Sequence, residues 1–127
     1  MTFKTLLIIK AVVCLVFGLQ LLVAPGVLIG MLGASLGPAG TFTAREYAAA
    51  MLGTLMLCWF ARNAVHLETR RPILLHLFVY DAIGLLVTVS VVISGVLNAL
   101  GWGIAGVYLF FTLCSGYLLK TKLEPAS

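Results

Sequence analysis

Apolar residues run almost unbroken from Thr2 to Ala24, Ala44 to Leu67, Pro72 to Leu97 and Trp102 to Lys120. Polar residues, glycines and prolines collect between these stretches. A helix needs about 20 mostly apolar residues to cross the hydrocarbon core, and each stretch is long enough. The pattern predicts an all-α four-helix transmembrane bundle with helices near 2–24, 44–67, 72–97 and 102–120, in a single membrane domain, 1–127. Pro25-Gly26 ends the first helix. Beyond it Gly30, Gly33, Gly37, Pro38 and Gly40 break up an uncharged apolar run that is too interrupted to span. A short interfacial or partly re-entrant helix followed by a glycine turn fits there. Irregular backbone is not tolerated against lipid, so this segment lies at the headgroups or is covered by protein.

The helix boundaries carry their own signals. Thr43 and Glu46 have the spacing of a capping box that opens helix two, which gives Glu46 a structural task. Glu68 to Arg71 forms the next turn, with Pro72 at the first position of helix three. That helix is roughly 39 Å long at 1.5 Å per residue, so it tilts or projects from the bilayer. Asn98 to Gly101 is a tight uncharged turn, and the tail from Lys120 is polar and expected to fray. Ala11, Cys14 and Gly18, then Ala49 with Gly53, then Thr112 with Gly116, are small-residue stripes that let helices approach closely. Gln20 is expected to hydrogen-bond across helices.

Composition turns the helix pattern into a membrane assignment. The 127 residues are 62% hydrophobic and 9% charged, with mean hydropathy +1.16. A soluble domain carries about 25% charged residues, so this chain cannot cover a water-facing surface. Cys14, Cys58 and Cys114 lie one per apolar stretch without a C-x-x-C, which points to packing rather than disulfides or metal. The Pro25-Gly26 break stands where a signal-peptide cleavage region would be, so the first helix is expected to be retained. The net charge of +4 is no sign of nucleic-acid binding, because the bases flank apolar segments and lack interleaved aromatics. They set topology and meet anionic lipid at a cytoplasmic rim. With four spans, Lys4, Lys10, Arg62, Arg70, Arg71, Lys120 and Lys122 share one side and Arg45 alone takes the other. The positive-inside rule then places both termini in the cytoplasm, at the inner membrane.

One acid falls deep within a span. Asp81 lies about 15 Å along helix three from Arg71, where an ionisable side chain marks a functional site by default. It shares a face with Gly84, Thr88, Val91 and Gly95, so that face looks into the bundle. Arg62 is its expected partner, because side chains lean toward the N-terminus of their own helix and these two then converge in depth. His66 and His76 are expected at similar heights on neighbouring helices, the arrangement of a bis-histidine haem or a metal, although interfacial histidines share it. Tyr80 is one turn from His76 on the same face. Arg45, near a helix N-terminus, opposes the macrodipole and is expected to meet lipid phosphate, a partner or an anion at the outer face. No catalytic motif and no metal set is present.

The chain resembles the DoxX-like group of small four-helix bacterial membrane proteins. Lys10 followed by Gly18, the break at Pro25-Gly26, the small-residue helix of Glu46, Ala49, Ala50 and Gly53, and the basic end at Arg62 carry the resemblance. It covers mainly the first two helices and implies the four-helix fold. DoxX-like proteins are linked to quinone-dependent sulfur oxidation and membrane redox complexes, but no residue here matches a catalytic role. Three functions follow in order. The first is a non-enzymatic accessory or interaction subunit, homo-oligomeric or part of a membrane complex, anchored by Arg62 and Asp81. The second is a binder of quinone, lipid or haem near Tyr80, Asp81, His66 and His76. The third is an oligomeric proton-coupled transporter using Asp81.

Overall fold

The computed structural model describes residues 1–121; the tail beyond, with Lys122 and Glu124, lies outside the described residues. Five helices follow one another: α1 Phe3–Val23, α2 Pro25–Met31, α3 Pro38–Ala61, α4 Leu67–Ile93 and α5 Gly101–Thr121, with no strand among the described residues. Three of them, α1, α4 and α5, are long and apolar enough to cross a membrane. Their outward faces are as apolar as their inward ones: Val16, Leu86 and Ile93 are all well exposed. A helix that is hydrophobic all round belongs in lipid. The short helix expected after Pro25-Gly26 is α2.

Packing pairs α1 with α3 and α4 with α5. At one end the pairs are fused by a core of Phe3, Leu6, Leu7, Cys58, Leu74, Leu77, Phe111 and Leu118, drawn from all four long helices. The start of α1 and the end of α5 therefore lie at the same end of the molecule as the α3–α4 turn. A second cluster, Cys14, Leu21, Ala48 and Met51, joins α1 to α3, and Leu28 of α2 packs against it. Gly18 brings Leu52 to within 3.0 Å of where a Cβ would be, so the Ala11–Cys14–Gly18 stripe is a genuine helix contact. Gly116 lets the Phe78 ring approach in the same way, whereas Gly53 faces open space and makes no such contact.

Several boundaries differ from the sequence pattern. Helix α3 starts at Pro38 behind a Gly37 N-cap, because proline at N1 presets the helical φ and gives up an N–H that would be unpaired anyway. Thr43 is therefore interior, and its hydroxyl bonds to the Ala39 carbonyl instead of capping with Glu46. The same helix ends at Ala61. The turn into α4 uses residues 62–66, braced by Arg70 Nε on the Ala64 carbonyl at 2.7 Å. Helix α4 opens at Leu67, with Glu68 favourably in its first turn and Pro72 inside the helix. The bond that Pro72 forfeits is the one to the Glu68 carbonyl. Gln20 bonds to the Ala24 carbonyl at the end of its own helix, not across to another.

At the opposite end two turns dock. Gly33 and Gly95 have φ of +84° and +86°, each just past the end of a helix. Gly95 donates to Val92 and Val96 to Val91, while Gly33 donates to Gly30 and Ala34 to Ile29. Both are Schellman motifs, which need a left-handed residue at that position. Helix α4 thus stops at Ile93, short of the expected Leu97, and Gly95 lies outside it. Asn98 ties the two turns together, its backbone N–H on the Leu32 carbonyl at 2.8 Å and its side-chain amide on the Met31 carbonyl at 3.0 Å.

Candidate functional site

Asp81 pairs with Lys10. Lys10 Nζ lies 2.6 Å from Asp81 Oδ1, with the side chains 3% and 0% exposed, the only ion pair among the described residues. Lys10 lies on the face that α1 buries, with Leu6, Leu7, Ala11 and Cys14. The ammonium also sits over two rings, 4.4 Å from the centroid of Tyr80 and 4.5 Å from that of Phe111. A desolvated cation gains from aromatic faces as well as from a carboxylate. Asp81 Oδ2, by contrast, is buried with no hydrogen-bond partner.

The expected partner, Arg62, is elsewhere. Because α3 ends at Ala61, Arg62 is its C-cap, level with the start of α4 and roughly 20 Å along that helix from Asp81. It lies over the Trp59 ring at 3.9 Å and donates to the Trp59 carbonyl. His66 and His76 also part from expectation. His66 is the N-cap of α4 and His76 is inside that same helix, so about 15 Å of rise separates them instead of a helix–helix gap. They cannot ligate one haem iron or one metal from those positions. His76 does meet Tyr80, ring to ring at 5.8 Å. Arg45 finds its partner within the protein: Nε donates to the Leu22 carbonyl at 3.2 Å. That carbonyl is one of the last of α1, where a cation complements the helix dipole.

Three tyrosines extend the polar cluster. Tyr80 donates to the Tyr47 hydroxyl at 3.0 Å, and Tyr47 and Tyr108 hydroxyls are 2.6 Å apart. The cluster links α3, α4 and α5, the two pairs that meet little elsewhere on this side. Gly84 makes it possible. A Cβ there would fall 2.3 Å from the Tyr108 ring, so only glycine lets the ring cross α4.

Between the helix pairs is a cavity of about 570 Å³. Lys10, Asp81, Tyr47, Tyr80, Tyr108, Thr43 and Thr88 give it a polar part, and side chains such as Phe17, Leu21, Leu28, Leu32, Ile104 and Val107 line the rest. All five helices contribute to its walls. His66, His76 and Arg62 do not. No known protein family, curated protein or solved structure matches the chain. The site is therefore read from its own geometry.

Of the residues singled out in the sequence, the structure brings Asp81 and Tyr80 together at the cavity, with His76 at the edge of Tyr80. Lys10, Tyr47 and Tyr108 were missed. Lys10 had a visible signal, since it is one turn before Cys14 on the small-residue face of α1. Tyr108 had a weaker one: tyrosine belongs at the membrane interface, so one placed inside a helix needs a partner for its hydroxyl, whereas a helix opening at Ala44 puts Tyr47 in its first turn, where no partner is called for.

Proposed function

We propose that this is an integral membrane protein of four spans that holds a small amphipathic molecule between its two helix pairs. The cavity carries this reading. Its volume of about 570 Å³ is in the range of small-molecule sites, which are mainly apolar with a few convergent polar groups. The accessory-subunit reading loses the Arg62–Asp81 anchor that motivated it, while the binding reading gains a cavity and a polar cluster. A haem fixed by His66 and His76 drops out, and a lipid-like ligand with a polar head remains.

The fourth span in this proposal is α3, whose 24 residues rise about 36 Å along α1. The inner membrane with cytoplasmic termini belongs to the same proposal. Lys10, as half of a buried pair, no longer counts toward topology. Lys4, Arg62, Arg70, Arg71 and Lys120 still face Arg45 across the bilayer, which supports the orientation. Kinship with the DoxX-like group is proposed for the fold alone.

Native mass spectrometry of protein extracted in mild detergent tests the binding. The wild type is expected to retain one small molecule. Ala44→Phe, which puts a ring into the cavity, is expected to lose it while keeping helicity and oligomeric state. If the wild type holds no adduct and no added amphiphile raises its melting temperature, the proposal fails.

A further inference from the structure

The hydrogen-bonding capacity left over in the cluster narrows the ligand, on the premise that the cavity is a binding site. Three tyrosine hydroxyls carry three hydrogens, and the two bonds among Tyr47, Tyr80 and Tyr108 use two of them. One phenolic hydrogen is therefore left to donate. Asp81 lines the cavity, and its Oδ2 is buried without a donor. A carboxylate turns on a soft two-fold torsion, so Oδ2 can swing toward the cavity without Asp81 leaving its helix.

We infer that the ligand is an amphiphile with a hydroxyl head, whose O–H donates to Asp81 and whose oxygen accepts from the tyrosine cluster. A head with acceptors only, such as an ether or a carbonyl, satisfies the tyrosines and leaves Asp81 Oδ2 unpaired. A bare ammonium head would satisfy Asp81 but accepts nothing and sits beside the Lys10 cation. The apolar wall formed by Phe17, Leu21, Leu28 and Val107 takes the tail.

Matched probes decide it. 4-Octylphenol and 4-octylanisole differ by the single methyl group that removes the donor, and 1-dodecanol and dodecyl methyl ether make the same comparison for an aliphatic head. Affinities are read by calorimetry on purified protein in detergent. In the wild type one hydroxyl probe is expected to bind at least about tenfold tighter than its ether, as suits a hydrogen bond to a charged acceptor. The pair with the larger preference tells a phenolic head from an aliphatic one. In the Lys10→Met/Asp81→Leu double variant, which removes both charges and is expected to stay folded, that preference is expected to collapse. Micelle partitioning and methyl bulk are common to both proteins and cancel in the comparison.

Equal affinity for hydroxyl and ether overturns the inference, because Asp81 then gains nothing from the ligand's O–H. A preference that persists in the double variant also overturns it, because Asp81 is then not the acceptor. If none of the four probes binds, the cavity reading itself falls. Binding of the ethers leaves that reading standing while the hydroxyl requirement is lost.

Discussion

Lys10 and Asp81 illustrate what a low-dielectric interior demands of a charged residue. Either one alone leaves an unpaired charge at 3% or 0% exposure, and breaking a buried pair by removing one partner costs about 3–5 kcal/mol. Replacing both with apolar groups of similar size is often neutral or better. Lys10→Met and Asp81→Leu should each lower the thermal midpoint sharply, and the double variant should return close to wild type. Arg62→Gln, by contrast, should add to Asp81→Leu within about 0.5 kcal/mol, as distant sites do. Additive losses at Lys10 and Asp81, measured in one detergent, would contradict the pairing. The sequence marks the acid but not its base. A helix reaching Leu67 would lift Arg62 into the bilayer, whereas α3 ends at Ala61, and Lys10, spaced like a topology charge near the N-terminus, shares the face of Ala11 and Cys14.

Elements are bounded here by glycine and proline more than by charge. Pro38 starts α3, and Gly33 and Gly95 end α2 and α4 in left-handed turns. The Thr43–Glu46 spacing was a sound capping signal in the wrong place, because a helix that has already begun at Pro38 leaves no unpaired N–H for Thr43 to cap. Alanine at Gly33 must adopt a left-handed conformation, costing about 1–3 kcal/mol, and its Cβ would meet the Asn98 side chain at 3.1 Å. Gly33→Ala is therefore expected to speed amide hydrogen exchange over Val27 to Leu32, in α2 and its C-cap, and to leave the core of α5 unchanged. Gly26→Ala is the control: nothing lies near a Cβ there, and alanine favours the helix. Equal effects from the two substitutions would mean that the docked turns do not hold α2 in place.

At the scale of the whole molecule, the two helix pairs are fused at one end by the Phe3–Leu118 core and bridged at the other by Asn98 on the Met31 and Leu32 carbonyls, with the cavity between them. The proposed orientation makes a concrete prediction. A fluorescent protein fused after the C-terminus should glow and an alkaline phosphatase fused there should be inactive, while phosphatase inserted in the Ala34–Ser35 loop should be active. The reverse pattern would invert the topology, and activity at both points would rule out α3 as a span.

The sequence by itself determined the helical class, the membrane setting, the short helix after Pro25-Gly26 and the burial of an ionisable group at Asp81. All of these follow from local hydrophobic runs and from the cost of charge in hydrocarbon. Only the tertiary structure decided that Lys10 answers Asp81, that Tyr47, Tyr80 and Tyr108 join hydroxyls and that His66 and His76 stand apart. Helix rotation and boundary positions control those contacts. In helices that are apolar on every side, no hydrophobic stripe marks the inward face, so rotation is fixed only when the helices pack.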